Sequence, residues 1–187
     1  MARLPGLPPA DLNPEQRALY DSIAGGDRAK DASFPLADGS GALIGPFNAL
    51  LYSPRVGDAV QQLGAALRFH GNLTAPVREL AILAVATYHD CEFERWAHEP
   101  IALRVGLTDE QVAALRAGTR PDLEAADLES AYDVCQSILH SRAISDDVYR
   151  QAVEALGEDL VVELMIVVGY YGMLAQLMNT FEVEPPA

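Results

Sequence analysis

Helix-start signals recur along the chain, whereas no segment alternates apolar and polar residues as a half-buried strand does. Asn13 before Pro14 predicts a helix that stops at Gly25, because asparagine caps helices and proline suits their first turn. Thr108 and Gln111 form a capping box that opens a later helix. Further helices are expected at 54–69, 91–105, 123–142, 146–156 and 158–181. These signals predict an all-α fold.

The expected arrangement is a bundle of six to nine helices in a single domain spanning residues 1–187. The proline-rich segment at 1–12 is expected to be extended. Residues 27–44 form the longest stretch without helical spacing, and a loop of that length in a compact domain is expected to be either disordered or functional.

Composition and charge limit the partners that the chain can have. Half of its 187 residues are hydrophobic, which is enough to bury a core. Its 27 acidic and 13 basic residues give a formal net charge of −14, and basic residues never cluster beyond a pair. We therefore expect neither nucleic acid nor a membrane as partner. Two cysteines cannot build a disulfide scaffold, which favours a reducing, cytoplasmic location.

The most apolar stretch, Leu160–Phe181, is long enough to span a membrane. Glu163, Gly169 and Gln176 interrupt it, however, and acidic residues flank both of its ends. We interpret it as a fully buried helix that lies either in the core or at a subunit interface. The second possibility favours a homo-oligomer.

Glu79 lies in a helix that is apolar nearly all round. At about 100° per residue, it shares a stripe with Ile82, Leu83 and Ala86, so packing carries its carboxyl group inward. A buried carboxyl group either finds a partner or holds its proton. Glu79 is therefore a candidate functional acid. The alternative is an ion pair with Arg78 or another arginine that ties two helices together.

Cys91, Glu94 and His98 follow one another at spacings that place them within about 60° on one helix face. A carboxylate four residues from an imidazole can fix its tautomer and raise its basicity, which suits a general acid or base. The alternative is a surface Glu–His pair beside a structural cysteine. The same side chains, with Glu79, could also bind a metal, but no standard zinc spacing is present and no metal is predicted.

Three aromatic residues are weaker candidates for the walls of a pocket. Tyr170 and Tyr171 lie in the most apolar helix, and a buried phenol needs a polar partner. Trp96 faces away from the stripe of Cys91, which is typical of a core or interface residue. Cys135 lies on an apolar helix face and is interpreted as a core residue.

The segment Leu73–Leu107 resembles the carboxymuconolactone decarboxylase family, which includes the alkyl hydroperoxidase D-like proteins. The residues that carry the resemblance are Arg78-Glu79-Leu80, then the run FERWAH at 93–98, Ile101-Ala102, and the run VGLT at 105–108. Gly45-Pro46-Phe47 and the Tyr171…Asn179-Thr180-Phe181 tail resemble a longer branch of that family.

The resemblance implies an all-α fold built on an antiparallel helical hairpin, assembled as dimers, trimers or hexamers. The peroxidase branch of the family uses Cys-x-x-Cys-x-x-x-His with an upstream glutamate. By position these residues fall on Cys91, Glu94, His98 and Glu79, so the second cysteine is absent. Without it a dithiol peroxidase cycle cannot close.

The decarboxylase branch carries Glu and His without the dithiol and is more similar to this chain. It implies a cofactor-free reaction that removes carbon dioxide from a γ-lactone acid and shifts a double bond. His98 would then be the proton donor or base, oriented by Glu94, and Glu79 would hold or relay a proton. An arginine would bind the substrate carboxylate, with candidates at Arg55, Arg78 and Arg95. Tyr171 and Trp96 would add to the substrate pocket.

One departure concerns Arg95, which stands where the decarboxylase branch often has an aromatic residue. Three hypotheses stay open at this point. The first is a lyase or isomerase resembling 4-carboxymuconolactone decarboxylase, acting on a small carboxylated or lactone-like molecule without a cofactor. The second is a thiol oxidoreductase or peroxidase that uses Cys91 alone. The third is a non-enzymatic helical oligomer that binds a ligand.

Overall fold

The computed structural model describes residues 2–26 and 34–186. The described chain contains nine α-helices, a short 3₁₀ helix at Pro9–Asp11 and one isolated antiparallel bridge between Ala37 and Leu43. The helices are α1 (Pro14–Ala24), α2 (Pro46–Leu50), α3 (Pro54–Phe69), α4 (Ala75–Tyr88), α5 (Glu92–Arg104), α6 (Asp109–Arg116), α7 (Ala126–Ser141), α8 (Asp146–Leu156) and α9 (Glu158–Thr180). The all-α prediction is confirmed.

The chain divides into two compact units, Met1–Gly71 with Leu177–Ala187 and Asn72–Gln176. The single-domain assignment stays a prediction. Of the predicted loop at 27–44, residues 27–33 lie outside the described residues, and 34–44 are bends and a turn. The segment at 1–12 is not wholly extended, because Pro9–Asp11 forms a 3₁₀ turn.

In the first unit, helix α1 begins and ends where its capping residues predict. Asn13 and Gln16 complete a reciprocal capping box, and α1 ends before Gly25. The core of this unit brings α1 together with α2 and the segment before it. Its buried members are Leu19, Ile23, Leu43, Phe47, Leu50 and Leu51.

In the second unit, α4 is the central helix, and it packs against α5, α6 and α7. Its residues from Glu79 to Ala86 are all buried, as expected for a helix that is apolar nearly all round. A connection of three residues joins α4 to α5, so the two form an antiparallel helical hairpin. Asp90 takes a left-handed conformation in this connection, with φ of 50°.

Two helix predictions differ from the structure. Helix α7 begins at Ala126 rather than near Leu123, because Ala125 before it has an extended backbone (φ −91°, ψ 127°); Leu123 lies outside the helix but is still buried. Helix α9 is not fully buried, since Val162, Ile166 and Met173 are exposed. Among the described residues, α9 is the one helix long and apolar enough to cross a membrane by length and composition, and half of its most apolar window is buried within the chain.

Candidate active site

The α4–α5 hairpin brings two carboxyl groups to opposite sides of one imidazole ring. Glu79 Oε2 lies 2.6 Å from His98 Nδ1. On the other side, Glu94 Oε2 lies 3.3 Å from His98 Nε2, one helical turn away on α5. The antiparallel hairpin thus places the inward carboxyl group of α4 against the histidine of α5. The His98 ring is held at both of its nitrogen atoms.

All three side chains are withdrawn from water, with exposures of 2% for Glu79, 4% for Glu94 and 7% for His98. The alternative of a surface Glu–His pair does not describe this arrangement, whereas the alternative ion pair between Glu79 and Arg78 is present beside the contact with His98. Buried ionisable groups are costly unless they are paired, so contacts of this kind between acid and imidazole are expected to be strong.

Arg78 adds a positive charge at the edge of this cluster. Its Nε lies 3.5 Å from Glu79 Oε1, and its side chain is 14% exposed. A guanidinium is always protonated. The four groups are therefore neutral in total only when one proton is shared among the two carboxyl groups and the imidazole. Since net charge is disfavoured in a buried site, the cluster is suited to hold one transferable proton.

Among the described residues, Arg78 Nε and Arg95 Nε are buried side-chain nitrogens without a hydrogen-bond partner, and Arg78 Nε lies at an ion-pair distance of 3.5 Å from Glu79 Oε1. Buried N–H donors are nearly always satisfied in folded proteins. An unsatisfied donor beside the Glu79–His98 pair is a natural contact point for an anionic ligand group.

Cys91 occupies the N-cap position of α5 without a side-chain capping hydrogen bond, and it is 1% exposed. Burial raises the pKa of its thiol to about 11, and the Glu94 carboxylate acts in the same direction. The backbone N–H groups of Phe93 and Glu94 oppose this rise but do not overcome it. The thiol is therefore protonated at neutral pH. Cys135 lies far along the chain on α7, fully buried, and burial raises its pKa to about 12.

Tyr171 reaches the His98 ring from α9. The two ring centroids are 5.3 Å apart, and the planes are nearly perpendicular at 87°. Tyr170 stands edge-on to Tyr171 at 5.2 Å. The contact brings a third helix to the imidazole, so both ring nitrogens and one ring edge have defined neighbours.

The other predicted binding residues have different surroundings. Arg95 Nη2 binds Asp90 at 2.6 Å and Glu92 at 2.7 Å, which fixes the connection between α4 and α5. Arg55 lies in the other compact unit, where its side chain binds Glu15. Trp96 is half-buried and packs against Phe93. The roles of these three residues in substrate binding stay predictions.

A separate cleft of about 360 Å³ lies between α4, α6 and α7. Sequence reasoning did not find it, because its residues come from three helices and share no spacing. Its polar and aromatic lining includes Thr87, Tyr88, Tyr132, Gln136 and His140. Among residues 2–26 and 34–186, no group of three or more His, Cys, Asp or Glu side chains is arranged to hold a metal ion.

A model of the carboxymuconolactone decarboxylase family matches residues 54–136, which contain the α4–α5 hairpin. No curated protein matches the chain by sequence.

Solved structures share the fold over nearly the whole chain. The alkylhydroperoxidase AhpD core, an uncharacterised peroxidase-related protein of Ralstonia eutropha JMP134, is 18% identical over 99% of this chain and 92% of that one, with a TM-score of 0.73. A peroxidase-related protein of Silicibacter sp. TM1040 is 17% identical over 100% of this chain and 92% of that one (TM-score 0.72). The debrominase Bmp8 is 13% identical over 97% of this chain and 91% of that one, with a TM-score of 0.71.

The fold is therefore that of the AhpD-like all-α proteins, with a buried acid–imidazole cluster on its central hairpin. Within that fold, residues 54–136 carry the sequence match to the carboxymuconolactone decarboxylase family.

Proposed function

We propose that the chain is a cofactor-free lyase or isomerase of the carboxymuconolactone decarboxylase type, with a small carboxylated or lactone-like molecule as substrate. The observation that carries this proposal is the His98 ring held between Glu79 and Glu94 in a buried site. Such a site can deliver or remove a proton without a metal or an organic cofactor.

In the proposed reaction, the carbon–carbon bond to the substrate carboxylate breaks and carbon dioxide leaves. The electron pair passes into the conjugated lactone as an enolate-like anion. His98 then gives a proton to a ring carbon, and the double bond shifts as that bond forms. Glu79 stabilises the imidazolium before the transfer. A proton taken up from solvent restores the cluster, so the balance is one proton consumed and one carbon dioxide released.

Arg78 is our choice for the substrate carboxylate. Its unsatisfied Nε lies beside Glu79. The Nε of Arg95 is also unsatisfied, but the Arg95 guanidinium is held at Nη2 by Asp90 and Glu92, away from the Glu79–His98 pair. A guanidinium near the substrate carboxylate positions the substrate. When the carboxylate departs as neutral carbon dioxide, its negative charge is transferred to the lactone ring. Tyr171 would confine the imidazole to this orientation as a positioning residue.

The first experiment is an ultraviolet absorbance screen of γ-lactone carboxylic acids with the purified chain and its His98→Gln variant. Loss of the general acid is expected to lower kcat by roughly 10²–10⁴-fold. His140→Gln, at an exposed position on α7, is the matched control and is expected to retain activity. Lactone turnover that survives His98→Gln would contradict the proposal.

A single-cysteine thiol peroxidase or oxidoreductase is the second candidate, favoured by one observation: Cys91 lies at a helix N-terminus beside Glu94. Its high thiol pKa and the absence of a neighbouring cysteine speak against it. Cys91→Ser separates the two candidates, because a thiol enzyme loses all activity and a proton-transfer enzyme keeps most of it. A non-enzymatic ligand-binding role predicts instead that ligand binding persists in His98→Ala and that no substrate is turned over.

We also propose a cytoplasmic location. Both cysteines are free and buried, and nothing in the described chain depends on a disulfide bond. To test this, the chain is expressed in a reducing and in an oxidising compartment, and the thermal unfolding of both samples is measured. We expect the sample from the reducing compartment to be as stable as the one from the oxidising compartment.

A further inference from the structure

The cleft between α4, α6 and α7 lies on a different side of α4 from the acid–imidazole cluster. Tyr88, which lines the cleft, follows Glu79 by nine residues, so the two side chains leave α4 about 180° apart and roughly 14 Å apart along its axis. All residues that line the cleft belong to the unit Asn72–Gln176. The proton chemistry proposed at His98 uses none of them.

Two tyrosine rings form part of the cleft wall, Tyr88 from α4 and Tyr132 from α7. Tyr88 stands edge-on to His89, with ring centroids 5.0 Å apart and planes at 90°. Aromatic walls favour a flat ligand, because stacked and edge-to-face contacts add to the burial of apolar surface. The volume of about 360 Å³ is at the small end of the range for ligand sites, which suits a single ring.

Two neighbouring side chains of α7, Tyr132 and Gln136, bring polar groups to the cleft that the chain itself does not use. Tyr132 is only 6% exposed, and it lines the cleft. In the described part of the chain, neither its hydroxyl nor the side-chain amide of Gln136 forms a hydrogen bond with another residue. Polar side chains buried as deeply as Tyr132 nearly always have a partner. A ligand group that accepts a hydrogen bond would supply it.

The Tyr132 hydroxyl is a hydrogen-bond donor at neutral pH. Burial raises the pKa of this phenol, and the guanidinium of Arg120 opposes the rise without overcoming it. The amide of Gln136 adds two N–H donors and one acceptor oxygen beside it, four residues further along α7.

The opposite side of the cleft offers acceptors. The Thr87 hydroxyl donates to the Leu115 carbonyl at 2.9 Å, and the Thr119 hydroxyl donates to the Ala114 carbonyl at 3.2 Å. With their protons engaged, both hydroxyl oxygens keep lone pairs that can accept from a ligand. Gly118 takes a left-handed conformation with φ of 67° after α6, and this turn places Thr119 in the lining.

The lining favours a ligand without charge. It contains no Asp, Glu, Lys or Arg side chain. Arg120 lies over the Tyr132 ring, 5.2 Å from its centroid, but its guanidinium is paired with Asp133. A charged ligand would lose its hydration without meeting an unpaired opposite charge. The formal charge of −14 adds a further repulsion against anions.

We propose that this cleft is a second binding site, which takes an uncharged single-ring aromatic molecule with both an acceptor and a donor, such as an aromatic carboxamide. The ligand accepts from the Tyr132 hydroxyl and the Gln136 amide, and it donates to a threonine hydroxyl across the cleft. The inference is independent of the proposed function, because the proton-holding cluster at His98 takes no part in this binding.

The first test titrates benzamide into the full chain at about pH 8, where histidine side chains are neutral, and follows the backbone amide signals by NMR. A Kd of about 1 mM is expected for a ligand of this size, with the largest shifts at Leu115, Gly118 and Thr119. Benzoate and benzylammonium add a charge to the same ring, and toluene lacks the polar group. Each of the three is expected to bind at least about tenfold more weakly than benzamide.

Variants test the assigned contacts. Tyr132→Phe and Gln136→Leu remove the polar groups but keep similar volumes, and each is expected to raise the Kd of benzamide by about tenfold. Tyr149→Phe, at 45% exposure on α8 and outside the cleft, is the matched control and is expected to leave the Kd unchanged. His98→Gln is also expected to leave it unchanged, which separates this site from the proposed active site. Thermal unfolding of every variant distinguishes a lost contact from a lost fold.

Four results would overturn the proposal. The first is the absence of any shift at benzamide concentrations about ten times the expected Kd. The second is a set of shifts centred on His98 and abolished by His98→Gln. The third is binding of benzoate or toluene as tight as that of benzamide. The fourth is an unchanged Kd in both Tyr132→Phe and Gln136→Leu.

Discussion

Helices α4 and α9 are both apolar nearly all round, yet the chain covers them very differently. Every residue of α4 from Glu79 to Ala86 is buried under α5, α6 and α7. Helix α9 keeps Val162, Ile166 and Met173 exposed. An apolar helix is therefore expected to be buried on all sides, but its sequence does not show whether residues of the same chain bury it. In α4 the complete cover makes Glu79 a buried acid, and in α9 the incomplete cover leaves three large apolar side chains exposed.

The largest expected effect is on stability and separates the two helices directly. Leu80 on α4 is fully buried, so Leu80→Ala is expected to lower the free energy of unfolding by about 2–5 kcal/mol. Val162→Ala on α9, at 60% exposure, is expected to change it by less than about 0.5 kcal/mol. Urea unfolding at a protein concentration that keeps the chain monomeric checks both, and equal losses would remove the contrast between the helices.

The next effect concerns the acid that α4 buries. Glu79→Gln keeps the shape of the side chain but removes the charge 2.6 Å from His98 Nδ1, so kcat on a lactone substrate is expected to fall by about 100-fold. Glu94→Gln, at the longer distance of 3.3 Å, is expected to cost about tenfold. Steady-state kinetics would contradict the account if the Glu94 variant were the more damaged.

A smaller effect is expected from alkaline pH, through the cysteine buried on α7. Burial raises the pKa of Cys135 from its ordinary value near 9 to about 12. Since the unfolded thiol ionises first, the contribution of Cys135 to stability is complete below about pH 9 and is lost as pH rises from 9 toward 12. The free energy of unfolding should therefore fall less steeply over this range in Cys135→Ala than in the wild type. Identical slopes would show that the thiol does not contribute.

The smallest effect has the opposite sign and concerns the exposed Gly169 on α9. Gly169→Ala is expected to stabilise the monomer by up to about 1 kcal/mol, because alanine favours a helix and its Cβ meets nothing. Gly172→Ala should gain less, since its Cβ would touch His89. Thermal unfolding of dilute samples compares the two variants, and a loss of stability in Gly169→Ala would mean that the fold of the single chain requires glycine at this position.

Much of the fold and part of the candidate site follow from the sequence, because both depend on local spacing. Caps and the helical period predict most helix limits, the inward direction of Glu79 and the neighbourhood of Glu94 and His98. The helical period of the sequence does not predict which nitrogen of His98 contacts which carboxyl group, since that depends on how α4 and α5 pack.

Contacts between residues distant in sequence could not be predicted. Tyr171 reaches His98 from a helix that begins sixty residues later, and no spacing relates the two. Arg95 was a candidate for substrate binding on charge alone, whereas the left-handed Asp90 turns the chain so that Asp90 and Glu92 bind its guanidinium. The exposure of α9 was missed for a related reason, because composition shows how apolar a helix is and not what surrounds it.

The central claim is that Glu79 and Glu94 hold the His98 imidazole and share one proton with it. Nitrogen-15 and proton NMR of the imidazole in the folded chain tests this most directly, without a substrate. We expect a strongly deshielded Nδ1 proton for His98 that is lost in Glu79→Gln and retained in Cys91→Ser. An imidazole that exchanges its protons with bulk water like an exposed histidine, with no change in Glu79→Gln, would contradict the account.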